Sequence, residues 1–133
     1  MAYLVDSDWT IDHLNRVPRA VELFATLGEE GTFISIVTYI EVFQGVLRDP
    51  RPDDAMRALQ DLIAGTPILE LGIPTAERCA SLRQHFLDLG QRPTRRGFDL
   101  VIAATALEHD LTLATRNVRD YADIPDLKLY RLA

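Results

Sequence analysis

The chain alternates short apolar runs with stretches in which apolar residues recur at helical spacing. Each short run is bounded by polar or turn residues, which is typical of buried strands. The predicted strands are Tyr3–Asp6, Thr32–Val37, Pro67–Leu71, Leu111–Ala114 and Lys128–Leu132. The predicted helical segments begin at Ser7–Trp9 and continue with Val17–Leu27, Thr38–Leu47, Ala55–Ile63, Thr75–Leu89, Leu100–Leu107 and the single turn Val118–Tyr121. Strands separated by helices predict an α/β fold, with a central, mostly parallel sheet of about five strands flanked by helices.

Length and hydropathy limit the organisation of the chain. At 133 residues, without repeats or a low-complexity tract, we expect one domain over residues 1–133. The polar, arginine-rich segment Gln91–Gly97 predicts a loop, and the nearly all-apolar Leu100–Leu107 predicts a buried helix. No apolar run approaches the ~20 residues that span a bilayer, and a basic signal region is absent, so we expect a cytoplasmic protein. Cys79 lies in a helical pattern, which favours a buried core thiol.

The charge balance argues against one class of nucleic-acid binder. The chain has 14 Lys plus Arg against 20 Asp plus Glu, a formal net charge of −6. This acidity disfavours binding to polyanions by bulk charge. However, every basic residue except Lys128 is arginine, and arginine suits planar, bidentate phosphate contacts. A local phosphate-binding site therefore remains compatible with the composition.

Carboxylates recur where predicted strands lead into helices. Asp6 ends the first strand, Glu41 follows the second strand in the next helix, Asp99 opens the apolar helix, and Asp120 follows the fourth strand. Ligands of parallel sheets bind beyond the carboxyl ends of the strands, so these acids are expected to converge. Converging carboxylates repel one another unless a cation neutralises them, and oxygen ligands favour Mg²⁺ or Mn²⁺ over Zn²⁺.

A structural interpretation of the same acids stays open at this point. Acidic residues near helix N-termini are stabilised by the helix dipole and by capping. Thr38-x-x-Glu41 fits a capping box, and Asn117-x-x-Asp120 resembles one. Asp99 would cap a helix that begins at Leu100. Taken singly, each acid is as well explained by capping as by catalysis.

Four segments together resemble a known family. They are Tyr3-Leu-Val-Asp6-Ser7-Asp8, Thr38-x-x-Glu41, Gly97-Phe-Asp99-Leu-Val-Ile-Ala-Ala-Thr-Ala106 and Leu113-Ala-Thr115-Arg-Asn117-Val-Arg-Asp120-Tyr121. In this order, covering essentially the whole chain, they resemble PIN-domain ribonucleases. The resemblance is nearest to the VapC toxins of toxin–antitoxin pairs.

The resemblance implies a Mg²⁺-dependent endoribonuclease, with Mn²⁺ as an alternative ion. The family's acidic centre carries over to Asp6, Glu41 and Asp99. We assign Asp120 as the fourth acid and Asn117 as an orienting ligand, since relatives use either position. A metal-bound water would attack the phosphodiester in line, leaving 5′-phosphate and 3′-hydroxyl ends.

Further polar residues are expected to support this centre. The hydroxyls of Ser7 and Thr115 are predicted to hold the carboxylates or the waters of the metal. Asp8 departs mildly from the family pattern, and either contacts the metal through water or caps a helix that begins near Trp9.

Substrate and partner contacts follow less directly. Four arginines flank the predicted acids and are candidates for gripping RNA phosphates, namely Arg95, Arg96, Arg116 and Arg119. Surface solvation, or pairing with an antitoxin, is an equally good explanation of these arginines. The resemblance also implies a cognate antitoxin protein and a homodimer.

Two other functions compete with the nuclease. Asp6-Ser7-Asp8-Trp9-Thr10 satisfies the Asp-x-Asp-x-Thr motif of haloacid-dehalogenase-like phosphatases, in which Asp6 would be a covalent nucleophile. Those enzymes need a lysine before a downstream acidic pair, whereas Lys128 follows every candidate acid. The other alternative is a PIN-like module that binds a partner without cutting, and the intact set of acids argues against it.

Overall fold

Four short parallel strands form the central sheet. The computed structural model describes residues 1–132, except for the side chains of residues 94 and 95. The strands are Tyr3–Val5 (β1), Thr32–Ser35 (β2), Ile68–Leu69 (β3) and Thr112–Ala114 (β4), in the spatial order β3-β2-β1-β4. Tyr3 lies opposite both Thr32 and Thr112, so β1 is paired on both sides.

Helices connect the strands and cover both faces of the sheet. They are Ser7–Leu14 (α1), Pro18–Gly28 (α2), Ile36–Arg48 (α3), Pro52–Gly65 (α4), Ile73–Asp88 (α5), Gly97–Glu108 (α6) and Val118–Tyr121 (α7). Parallel strands require such crossovers, so this arrangement confirms the predicted α/β fold with a parallel sheet. Among the described helices, none is long and apolar enough to cross a lipid bilayer.

The last predicted strand, Lys128–Leu132, is reduced to a single bridge. Leu113 donates its amide to the Lys128 carbonyl at 2.8 Å and accepts the Tyr130 amide at 2.8 Å. Because β4 is only three residues long, its outer edge offers little more than this one residue for pairing. The described sheet therefore has four strands where the sequence predicts about five.

The second strand is shorter than predicted, and the helix after it begins earlier. Ser35 has an extended backbone, and its hydroxyl accepts the Thr38 amide at 3.1 Å, which starts α3 at Ile36. The predicted capping box from Thr38 to Glu41 is therefore wrong. Thr38 is the third residue of the helix, and Glu41 lies beyond its first turn.

The other two predicted caps are also wrong. A 3-10 turn at Pro93–Arg96 occupies part of the predicted loop, and α6 follows it from Gly97. Asp99 is consequently inside the first turn of α6 and does not cap it. Asn117 stands at the N-cap position of α7 without a side-chain capping bond, and its carbonyl accepts the Asp120 amide at 2.9 Å.

Two apolar clusters pack on the opposite faces of the sheet. Alternate residues of β1 divide between them, with Leu4 in one cluster and Val5 in the other. The first cluster contains most of α6, which confirms the buried helix predicted over Leu100–Leu107. Cys79 is buried in the same cluster, as predicted, and burial raises the pKa of its thiol. The second cluster packs β1 against α1 to α4.

Candidate active site

Asp6 is fixed where β1 ends and α1 begins. Its amide donates to the Ala114 carbonyl at 2.9 Å, which ties the junction to β4. Its carboxylate accepts the Ser7 amide at Oδ1 (2.8 Å) and the Thr115 hydroxyl at Oδ2 (2.7 Å). The residue is only 6% exposed. Both carboxylate oxygens are therefore oriented by donors before any ligand arrives.

The electrostatic environment of Asp6 opposes its negative charge. Burial is the main cause that raises its pKa from 3.8 to about 6, and the charges of Asp8 and Asp99 act in the same direction. The hydrogen bonds from Thr115 and Ser7 lower the pKa, but they only partly offset burial. A cation beside Asp6 would offset the cost of burying its negative charge.

Glu41 reaches the same junction from α3. The Ser7 hydroxyl donates to Glu41 Oε1 at 2.6 Å and lies 3.0 Å from the Thr38 hydroxyl. Since Ser7 directly follows Asp6 in the chain, this bond places the Glu41 carboxylate close to the Asp6 backbone. Ser7 thus connects the carboxyl end of β1 with α3.

Asp99 and Tyr121 complete the inner part of the site. The Tyr121 hydroxyl donates to Asp99 Oδ1 at 3.2 Å. Burial is the first cause that raises the pKa of Asp99, and the charge of Asp120 also raises it, whereas the bond from Tyr121 lowers it. Burial raises the pKa of Tyr121 as well, and the charges of Asp6 and Asp99 add to this effect. The buried Tyr121 hydroxyl therefore faces both acids.

The sequence did not indicate that the Tyr121 hydroxyl belongs to the site. Tyr121 is named there only as the last residue of the motif that contains Asp120. Its side chain is almost fully buried, whereas that of Asp120 is exposed. A tyrosine one position after an exposed acid in a short helix was the only available signal, and it is a weak one.

Thr115 links three of the predicted polar residues. Besides its bond to Asp6, its hydroxyl lies 3.4 Å from Asp8 Oδ2 and accepts the Asn117 amide at 3.0 Å. Asp8 also accepts the amides of Trp9 at 2.6 Å and Arg116 at 3.0 Å. Since α1 begins at Ser7 with Asp6 as its cap, the expectation that Asp8 caps a helix near Trp9 is wrong.

The side-chain atoms that could bind a metal ion at this edge of the sheet are oxygen atoms. Hard divalent cations prefer oxygen ligands. Within residues 1–132, no three His, Cys, Asp or Glu side chains surround a single ion position. Mg²⁺ usually binds through one or two carboxylates and keeps several waters, so the carboxylates of Asp6 and Asp99 have the chemistry that this ion requires. Asp120 lies at the exposed rim, near enough for its charge to act on Asp99. The three histidines could offer nitrogen ligands. One of them, His13, instead packs on Phe24 with ring centroids 4.4 Å apart.

The four predicted arginines differ in their surroundings. Arg96 pairs with Asp123 through two bonds of 2.9 and 3.0 Å and lies over the Phe86 ring. Arg116 pairs with Asp12 and lies over the Trp9 ring at 4.1 Å. Arg119 is exposed on α7, and the side chain of Arg95 is outside the described residues. Arg96 and Arg116 thus hold structural contacts whatever else they bind.

Comparison with known proteins identifies the family. A model of the PIN domain matches residues 3–127. The chain belongs to the PIN domain family. The resemblance found in the motifs is therefore confirmed. A comparison with curated proteins found no match to the chain.

Solved structures that resemble this PIN domain include members of toxin–antitoxin systems. VapBC2 from Rickettsia felis, solved bound to a DNA fragment from its promoter, gives a TM-score of 0.86 at 21% identity, with 100% of each chain covered. FitAcB from Neisseria gonorrhoeae gives 0.80 at 26% identity, covering 97% of this chain and 96% of the other. A toxin–antitoxin complex from Klebsiella pneumoniae gives 0.71 at 27% identity, covering 98% and 100%. The likeness extends over the whole sheet and its helices.

The phosphatase alternative gains no support from the geometry. Lys128, the only lysine, pairs with Asp110 at 2.7 Å on the surface. A phosphatase of that type would need the lysine amine beside Asp6 and Asp8, whereas this amine is engaged elsewhere. Membership of the PIN family also disfavours this alternative.

Proposed function

We propose that this PIN domain is a metal-dependent endoribonuclease, the toxin of a VapBC-type toxin–antitoxin pair, acting on RNA in the cytoplasm. The observation that carries the proposal is the convergence of Asp6, Glu41 and Asp99, which come from three separate elements. Hydrogen bonds from Ser7, Thr115 and Tyr121 orient these acids.

Asp6 and Asp99 are the proposed protein ligands of Mg²⁺, for which Mn²⁺ is a substitute. Glu41 and Asp120 would complete the acidic centre, directly or through metal-bound water. Support comes from the raised pKa values of Asp6 and Asp99. Burial and repulsion between carboxylates raise both values, and the same two effects favour a bound cation beside these side chains. When bound, such an ion lowers the pKa of a coordinated water and offsets the charge of the phosphate.

The side chains around the acids supply positioning. Thr115 and Ser7 hold the Asp6 carboxylate at both oxygens, so it need not reorient when substrate binds. The Ser7 hydroxyl does the same for one oxygen of Glu41. Tyr121 restricts the Asp99 carboxylate from the buried side. Preformed orientation of this kind lowers the reorganisation required in the transition state.

Substrate contacts are assigned to the four arginines at the rim of the site, and Asn117 keeps its assignment as an orienting residue beside Asp120. Arg119 is exposed beside Asp120, and Arg116 is held next to Thr115 and Asp8. Arg95 and Arg96 precede Asp99 in the chain. Guanidinium groups at these positions would contact phosphates on either side of the scissile bond.

An antitoxin partner is part of the proposal. The solved structures that resemble this chain include a toxin–antitoxin complex and a member of the VapBC family of toxin–antitoxin systems. A cleft of about 600 Å³ lies between α1, α3 and α4, with Glu41 among its lining residues beside apolar groups such as Leu14 and Val46. A segment of the antitoxin seated there would reach the acidic centre and block it. We also propose a homodimer, which would cover exposed apolar side chains such as Ile73.

Cleavage of a structured RNA tests the nuclease directly. Purified protein with Mg²⁺ should cut the RNA, and EDTA should stop the reaction. Asp99→Asn should lower the rate by roughly 100-fold or more, since even groups that only support a metal ligand are worth 10–100-fold. Asp61→Asn, which makes the same change at an exposed site on α4, should cut at the normal rate.

Three results would contradict the proposal. One is the absence of cleavage of any RNA with either Mg²⁺ or Mn²⁺. Another is binding of RNA without cutting, which would favour a catalytically silent module. The last is hydrolysis of small phosphomonoesters with a trapped phosphoaspartate at Asp6, which would favour the phosphatase. Calorimetric titration with Mn²⁺ gives an independent measurement, in which Asp99→Asn should weaken metal binding.

A further inference from the structure

A second cleft lies beside the acidic centre, on the side of β4. Its volume is about 390 Å³, within the range of roughly 300–1,000 Å³ that is typical of small-ligand pockets. Arg19 of α2, Arg116, and Arg131 of the C-terminal segment line it, together with Trp9 and Thr115. These five residues define what we call the arginine cleft.

The arginine cleft is continuous with the proposed active site. Thr115 lines the cleft and donates to Asp6 Oδ2 at 2.7 Å. The next residue, Arg116, donates its amide to Asp8 at 3.0 Å. A chain of phosphates whose reacting group lies at Asp6 would therefore pass directly into this cleft.

The cleft carries excess positive charge in a protein with a net charge of −6. Arg116 is neutralised by its ion pair with Asp12. Arg19 and Arg131 are both exposed, and no carboxylate among the described residues lies within 4.0 Å of either guanidinium. The excess charge therefore comes from these two arginines.

Arg116 is held rigidly within the cleft. Its guanidinium lies 4.1 Å from the centre of the Trp9 ring and pairs with Asp12 on another side. Trp9 itself is only 4% exposed, so the ring forms a fixed support and is not available for stacking with a base. A guanidinium fixed in this way loses little entropy when it binds an anion.

We propose that the arginine cleft binds the phosphodiester backbone of single-stranded RNA on one side of the scissile phosphate. Arg19 and Arg131 contact non-bridging oxygens, and Arg116 acts as a fixed donor between them and the acidic centre. The inference rests on the proposed nuclease function and extends it to residues on α2 and near the C-terminus. RNA is favoured over an acidic peptide because the cleft opens onto Asp6 and Thr115, where the reacting phosphate would lie.

The test measures binding without cleavage. In an Asp99→Asn background, fluorescence anisotropy with a labelled single-stranded RNA compares Arg19→Gln/Arg131→Gln with the parent protein. The double variant should raise Kd by roughly tenfold, since an exposed ion pair contributes about threefold and two are lost. The slope of log K against log salt should become less steep by about 0.7 for each lost phosphate contact.

The matched control is Arg57→Gln/Arg83→Gln, which removes the same charge from positions that line neither cleft. It should leave Kd and the salt slope close to those of the parent. Thermal unfolding of every variant checks that the fold is intact. In proteins that retain Asp99, kcat/KM for cleavage should fall by the same factor as the affinity.

The outcomes separate this inference from the nuclease proposal. Cleavage by the unmodified protein, with unchanged RNA binding in the Arg19/Arg131 variant, would overturn the arginine cleft alone. An equal loss in the control variant would assign binding to bulk charge and overturn it as well. Loss of antitoxin binding with unchanged RNA binding would assign the cleft to a protein partner. If RNA binding depends on these arginines but nothing is cut, the nuclease proposal fails and the binding site stands.

Discussion

Replacing Asp6 with asparagine should stabilise the metal-free protein at neutral pH, although it removes a proposed metal ligand. Asp6 is buried, with a pKa of about 6 in the fold against an ordinary value of 3.8. Asparagine carries no charge, keeps an oxygen for the Ser7 amide, and places an NH₂ group where the protonated acid has its hydroxyl. The variant thus resembles the protonated form of Asp6 at every pH.

The size of the effect follows from proton linkage. Between pH 3.8 and about 6 the folded state binds more protons at Asp6 than the unfolded state, so the free energy of unfolding falls as pH rises. At about 1.4 kcal/mol per pH unit, the ionised folded state is penalised by about 3 kcal/mol above pH 6. Asp6→Asn should therefore gain about 3 kcal/mol at pH 8 and almost nothing below pH 3.8.

Urea unfolding in EDTA at several pH values measures this difference. Trp9 is the single tryptophan and is buried, so its fluorescence reports the transition. Mg²⁺ at 100 times its Kd should stabilise the parent by about 2.7 kcal/mol and nearly cancel the advantage of the variant. Asp61→Asn, an exposed control, should change the stability by less than about 0.5 kcal/mol. A variant no more stable than the parent at pH 8, or a difference independent of pH, would refute the reasoning.

Three further changes test the site and the fold. Tyr121→Phe removes the donor that lowers the pKa of Asp99, so the acid limb of the cleavage pH–rate profile should move to higher pH. Ser35→Ala removes the hydroxyl that accepts the Thr38 amide and should reduce the free energy of unfolding by about 1 kcal/mol in urea titrations. Leu59→Ala empties a fully buried position and should destabilise the protein by about 2–5 kcal/mol in the same measurement.

The two stability changes each have a matched control. Ser35→Thr retains a hydroxyl and should recover most of the lost stability, unlike the alanine variant. Leu47 is 70% exposed, and Leu47→Ala should have an effect below about 0.5 kcal/mol. An unchanged pH profile in Tyr121→Phe would mean that the hydroxyl does not influence Asp99 in the working enzyme.

The order of strands and helices was predictable because hydrophobic spacing is a local property. The run at Tyr3–Val5 and the nearly all-apolar α6 correspond to elements with their predicted burial. Element boundaries were less predictable. The residues Ile36 and Val37 continue the apolar pattern of β2, yet they form the first turn of α3 because the Ser35 hydroxyl caps it.

Whether the segment after Lys128 forms a strand depended on its partner. Its apolar pattern is that of a strand, but as far as residue 132 only Leu113 of β4 pairs with it. Pairing requires amides and carbonyls on a neighbouring edge, and the pattern of one segment contains no information about the length of that edge.

By itself, the sequence determined the kind of fold and the residues from which a site could be built, Asp6, Glu41 and Asp99. Only the tertiary structure decided how these acids are held. The Thr115 hydroxyl that orients Asp6 is 109 positions away in the chain, and the bond from Ser7 to Glu41 spans 34 positions. Hydrogen bonds and desolvation depend on separations in space, and neither is encoded by local spacing. For the same reason, only the fold brings Tyr121 against Asp6 and Asp99. It likewise places Arg116 over the Trp9 ring.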